Sequence, residues 1–242
     1  MKHFLVVCLF LVAFSVYGQK SDSTMSRRNT VKIDLTSYFL YRDAIVFSYE
    51  RVVKPHQSFG ITLGYETFPS ISQSILIKEE NRNGYKFGAE YRFYLAKENK
   101  FTAPRGVYIG PYFSSHGFST ERFLEVDNDG GTEQGTLNSQ LRVHNFGAQL
   151  GYQFVFNDRW TIDLVLVGPS FSNYRAKFKM DGDFTFDQED IQNEFLLELI
   201  DQFPILEDVL SGQEVDAKGK VDTWALGYRY QFLVGYRFGH RK

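Results

Sequence analysis

Cysteine is almost absent from this chain: there is one in 242 residues, Cys8. Beyond the first residues this excludes a disulfide framework, a thiol nucleophile and a cysteine metal site. An excess of charge of one sign is also lacking. The formal charge of −2 supplies no field for nucleic acid, and no nucleic-acid partner is expected. Long apolar runs are missing except for Phe4 to Val16, which is too short for a bilayer-spanning helix. With Lys2 before that run and Val16-Tyr17-Gly18 after it, residues 1–18 read as a secretory signal peptide and residues 19–28 as a polar lead-in. Cys8 has no small residues just upstream, so no lipid anchor is expected.

Aromatic residues are plentiful at 17%, with 24 Phe and 15 Tyr, and they fall at every second position. In Trp224 to Phe238 the series Leu226, Tyr228, Tyr230, Phe232, Val234, Tyr236 and Phe238 alternates with Gly227, Arg229, Gln231, Gly235 and Arg237. The same period of two recurs in about eight segments from Asn29 onward, which is the signature of strands with unlike faces. Val31, Ile33 and Leu35 oppose Lys32, Asp34 and Thr36; Tyr85, Phe87, Ala89 and Tyr91 oppose Lys86, Gly88, Glu90 and Arg92. Pro111 interrupts the fifth segment and predicts a bulge or a broken ladder there.

Alternation alone fits a soluble calyx with its bulky face inward as well as a membrane barrel with that face outward. Three features favour the barrel. Aromatics sit toward segment ends with smaller residues between, as Ala89 and Ala148 do, matching a bilayer's interfaces and its hydrocarbon. Glycines such as Gly60, Gly88 and Gly235 fall on the polar face, where a narrow lumen needs room. The connections 53–57 and 157–159 are short and 96–105 only moderately longer, while on the other side 68–82, 115–139 and 172–222 are long and only 41–43 is short, as for periplasmic turns and outer loops.

The expected fold is therefore all-β: an eight-stranded antiparallel up-and-down transmembrane barrel over residues 29–239, with both ends periplasmic. The last outer loop, 172–222, carries Ile191, Phe195, Leu199 and Phe203 at four-residue steps, predicting an amphipathic helix over about 187–210. That helix is either a lid or a docking surface for an envelope or extracellular protein. With Tyr49-Glu50-Arg51 and the third-strand run Ser58 to Tyr65, the chain resembles small outer-membrane β-barrels of Gram-negative envelopes, of OmpA or OmpX size and uncharacterised type. The resemblance implies an outer-membrane location, lipid as the surrounding partner and folding by the barrel-assembly machinery. It leaves activity unassigned.

The polar faces supply the candidate site: Lys32, Asp34, Glu50, Glu66, Lys86, Glu90, Arg92, Asp163, Arg229 and Arg237. Their signs nearly balance, and buried ions must be paired, so an ionic network filling the lumen is expected rather than a pore, with Glu50 and Glu90 reaching Arg92 and Arg229. The alternative is a barrel hydrolase acting on envelope lipid. For it, His116 beside Ser114, Ser115 and Ser119 is the best base, with His144 as a neighbour, although neither histidine has a serine two residues later. The acidic runs at Asp127 to Gly131 and Asp181 to Asp190 lack the glycine and glutamate of a calcium loop. No cofactor, metal or catalytic residue is expected.

Overall fold

A computed structural model describes residues 27–41, 44–67, 77–128, 131–182 and 220–239. The expected signal peptide, most of the lead-in and the expected helix at 187–210 lie outside the described residues.

The strands are β1 (Asn29–Asp34), β2 (Ile45–Lys54), β3 (Gln57–Tyr65), β4 (Ile77–Tyr94), β5 (Gly106–Asn128), β6 (Gly131–Phe156), β7 (Trp160–Val167), β8 (Pro169–Gly182), β9 (Lys220–Tyr228) and β10 (Gln231–Phe238). β7 and β8 form one stave interrupted at Gly168, and β9 and β10 form another interrupted at Arg229 and Tyr230. Eight antiparallel staves result. They close into a barrel because β1 pairs with both β2 and β10, while β10 pairs with β7, β7 with β6 and β6 with β5. Closure leaves no free edge in this part of the sheet.

The tight connections cluster at one end. Lys54 pairs with Gln57 across Pro55 and His56. Phe156 pairs with Trp160 across a turn in which Asn157 and Asp158 take positive φ of 49° and 58°, a conformation these two residue types tolerate. Val52, Tyr94, Ala103 and Tyr108 pack into a small apolar cluster at this end. Residues 27 and 28 are strapped there too, since Arg237 donates to the Arg27 carbonyl and Val52 N–H to that of Arg28.

Side-chain polarity in the closed part is inverted relative to a soluble protein. Ile45 is 59% and Phe47 48% exposed on the outer face, whereas Lys32 and Arg92 are each 1% exposed inside. Phe87 and Phe232 also face outward, which rules out the calyx arrangement. Glycines make the charged interior possible: a Cβ at Gly60 would lie 2.9 Å from a Glu90 carboxylate oxygen, and one at Gly235 2.6 Å from Lys32 Cγ.

Three expectations need correction. The first strand stops at Asp34 instead of running on through Leu35 and Thr36. Asp34 caps a short helix, α1 (Leu35–Leu40), by accepting from Ser37 N–H, and this helix leaves Tyr38, Phe39 and Leu40 on the outside. The connection at 115–139 is a hairpin extension in which β5 and β6 pair from Ser115↔His144 out to Asn128↔Gly131. The stretch 172–222 likewise begins and ends in strand, with β8 and β9 paired from Pro169↔Tyr228 to Lys177↔Lys220. Pro111 breaks the β4–β5 ladder without shifting it. Pairing passes from Glu90↔Tyr112 to Phe93↔Ile109, skipping Gly110 and Pro111, because proline has no N–H to give.

The extension of β8 reverses the polarity. Along β8 the inward positions are Tyr174, Ala176 and Phe178, all buried, and the outward ones are Arg175, Lys177 and Lys179, all exposed. Phe118 and Leu137 continue the buried series on β5 and β6, and Val221 on β9. Along β8 the outer face thus turns from apolar to charged, whereas β5 still buries Thr120 and Arg122 and leaves Phe123 37% exposed.

Candidate functional site

Strand alternation delivers one inward side chain from each neighbouring stave to a common level, and at mid-barrel these are nearly all charged. Lys32 from β1 donates to Gln153 at 2.8 Å and to Asp163 of β7 at 2.5 Å, and pairs with Glu50 of β2 at 2.7 Å. Arg92 from β4 donates through Nη1 to Asp163 at 2.7 Å and through Nε to Glu90 at 2.8 Å, and lies 4.2 Å over the Tyr108 ring. Hydroxyls add to the carboxylates' partners: Tyr108 donates to Asp163 at 2.7 Å, and Tyr94 and Ser58 donate to Glu50 Oε1 at 2.8 and 2.5 Å. Arg229 completes the set by donating to Glu90 at 3.0 Å and to Gln231. Three cations face three carboxylates, so the burial cost of each ion is offset by a partner of opposite sign.

A second cluster lies toward the helical end. Lys86 Nζ pairs with Asp34 and Glu66, each at 3.2 Å, and donates to Ser37 Oγ at 2.8 Å. Ser37 Oγ in turn lies 2.9 Å from Asp34 and 3.0 Å from Glu66, within donating reach of either carboxylate. Gln231 Nε2 donates to Asp34 at 2.7 Å, tying this cluster to Arg229 through Gln231. The tenth residue of the expected set stands apart: Arg237 binds Asp158 at 2.9 Å at the opposite end and pins the turn between β6 and β7.

Nine of the ten residues thus meet in two linked clusters. Glu50 and Glu90 reach Arg92, and Glu90 reaches Arg229, as their alternation anticipates. Several members carry no charge and so escaped sequence reading: Gln153, Tyr94, Tyr108, Ser37 and Gln231. Their signal was their position, since Gln153, Tyr108 and Gln231 stand at inward phases of their strands.

His116 and His144 do not meet. His116 is on the inward phase of β5, whereas His144 is on the outward phase of β6, its ring stacked 6.4 Å from Phe113. His116 Nδ1 lies 2.8 Å from Glu66 Oε2, so Nδ1–H donates to the carboxylate and Nε2 is the nitrogen left over. Among the described residues no serine hydroxyl bonds to it; Ser114 instead accepts from Asn145 at 2.9 Å. No group of three His, Cys, Asp or Glu residues suited to a metal occurs among the described residues. Of the acidic runs, Asp127 pairs with Thr132 in the β5–β6 hairpin and Asp181 binds Lys179; the rest of the second run lies outside the described residues.

Above the second cluster is a cavity of about 540 Å³. Its floor is Asp34, Lys86, Glu90, Arg229 and Gln231; Tyr41, Phe118, Leu141, Val143 and Tyr174 stand in its walls. The Tyr41 and Phe118 rings are 5.8 Å apart, and the Arg229 guanidinium lies 4.6 Å over Tyr112.

Solved structures similar in outline include CarO of Acinetobacter baumannii, 11% identical, covering 90% of this chain and 100% of that one with a TM-score of 0.38. The N-terminal β-barrel domain of Pseudomonas aeruginosa OprF is 12% identical, covering 88% and 100% with a TM-score of 0.28. A major outer membrane protein of Thermus thermophilus is 10% identical, covering 87% and 99% with a TM-score of 0.33. No curated protein matches the chain in sequence. The family model described as "Protein of unknown function (DUF3575)" matches residues 4–197, and the chain belongs to that family.

Proposed function

We propose that the protein is a non-enzymatic outer-membrane barrel, closed to ions, with an envelope structural or surface-interaction role. One observation carries this reading: a closed barrel with an apolar exterior and a lumen crossed by paired ions. An outward apolar belt is solvated by lipid acyl chains, and an eight-strand lumen is just wide enough for side chains to fill. Lipid is then the partner of the exterior and barrel-assembly machinery the agent of insertion. The extension, with cationic positions at Arg175, Lys177 and Lys179 on its outer face, is the surface offered to anything outside. Reconstitution into planar bilayers tests the closure. The protein should insert without stepwise conductance; discrete channel openings in the wild-type chain would contradict it.

A second reading is favoured by the His116–Glu66 pair, since a carboxylate-oriented imidazole facing a cavity is half of a hydrolytic site. It requires a nucleophile that the described serines do not supply to His116. Release of fatty acid from envelope lipid by the wild-type chain, lost in His116→Ala, would establish it over the first.

A further inference from the structure

The cavity above the ionic clusters combines an apolar body with a one-sided floor. At about 540 Å³ it falls in the range of small-molecule sites, roughly 300 to 1,000 Å³. The floor contains both signs of charge, but they are not equally accessible. The side chains of Asp34 and Glu66 are 0% exposed and that of Glu90 4%, whereas those of Lys86, His116 and Arg229 are 9%, 15% and 16% exposed. The carboxylates sit behind the nitrogen groups that they orient. An entering ligand therefore meets the nitrogen groups first.

One of those groups also has capacity to spare. Arg229 commits Nε and Nη2 to Gln231 and Glu90, and among the described residues its Nη1 has no protein acceptor. Stacking on Tyr112 holds the guanidinium plane in place, so binding there would cost little further ordering. His116 donates Nδ1–H to Glu66, so its Nε2 is an acceptor and offers nothing to an anion. The Arg229 side chain lines the cavity.

We infer that this cavity binds a small amphiphilic acid, its anionic head on Arg229 and its apolar body against Tyr41, Phe118, Leu141 and Tyr174. The apolar walls supply affinity by burial, and the guanidinium fork supplies orientation by a charge-assisted hydrogen bond. A cationic head would approach the outer side of Lys86 and Arg229 and be repelled. The inference goes beyond the proposed role and does not rest on it, because binding is read separately from conductance.

The test uses three probes with one body and three heads: 4-phenylbutyrate, its neutral amide and 4-phenylbutylamine. They are titrated calorimetrically against the full chain in phospholipid nanodiscs, with empty nanodiscs subtracted. The acid should bind at least tenfold more tightly than the amide, and the amine should not bind. Arg229→Gln should lower the affinity for the acid at least tenfold and leave the amide unchanged. Leu141→Trp, which fills the cavity from a wall that carries no ion, should weaken acid and amide together. Arg142→Gln, on the outer phase of the same strand, should change neither. Retained heat-modifiable gel mobility verifies folding of each variant. Equal binding of the three heads, no binding of the acid at millimolar concentration, or full acid affinity in Arg229→Gln would overturn the inference.

Discussion

The closed barrel and the extension above it are built from the same antiparallel strands, yet along β8 the extension carries the opposite polarity. In the barrel, Phe47 and Phe87 face out while Lys32, Glu50 and Arg92 are buried; in the extension, Lys177 and Lys179 face out while Ala176 and Phe178 are buried. Backbone pairing cannot distinguish these regions, because β6 runs through both without interruption. The surrounding medium can. A strand segment in hydrocarbon must put its polar groups on the lumen side, and one in water is free to bury its apolar ones. On the outer-membrane reading proposed above, the level near Tyr174 at which β8 inverts is where lipid ends. It also places an apolar chamber directly on top of an ionic floor, and the cavity lies at that junction.

Substitutions can break this contrast, and the largest effect belongs to the buried ions. Asp163→Ala removes the acceptor shared by Lys32, Arg92 and Tyr108 and leaves two cations buried, which should destabilise the barrel by about 3–5 kcal/mol. Urea unfolding in lipid vesicles measures it; a loss below about 1 kcal/mol, the scale of an exposed pair, would mean that the network is solvated. Next comes the lipid face. Phe47→Arg should cost roughly 2–4 kcal/mol in a bilayer by the same unfolding measurement, as expected for a charge near mid-depth on a barrel exterior. In the extension the effect is local: Phe178→Ala should raise hydrogen exchange along the outer halves of β6 and β8 while the amides of β1 and β2 stay protected. The smallest effect is on the extension's outer face, where Arg175→Gln breaks an exposed pair with Asp222 and should cost less than about 1 kcal/mol.

Much of the barrel was legible because alternation, glycine placement and short turns are local signals with one physical cause each. Nine of the ten candidate residues meet as that alternation anticipated, Arg237 pairing with Asp158 at the far end instead, and the pairing of Glu90 with Arg92 and Arg229 followed from balancing charge. The extension was not legible, for a specific reason. Between Val165 and Ser170 the inward phase passes from odd to even positions, and the β6–β7 register shifts between Leu150 and Gly151. An extra residue of this kind moves every later side chain to the other face of a naive alternation. Polarity inverts just beyond, so Tyr174, Ala176 and Phe178 look like a loop under an apolar-outward strand pattern. The helix α1 was hidden by another coincidence. Leu35 and Thr36 continue the strand pattern by chance, whereas Asp34 and Ser37 were already spaced as a helix cap. His144 was misplaced beside His116 because the two are close in height, although strand phase sends them to opposite faces.

Nitroxide labels at single introduced cysteines, read by accessibility to oxygen and to a water-soluble nickel complex in lipid vesicles, test the polarity inversion most directly. Labels at Phe47 and Phe87 should favour oxygen strongly, and labels at Lys177 and Lys179 should favour nickel. Equal nickel accessibility at all four positions would show that water, not hydrocarbon, surrounds the closed barrel.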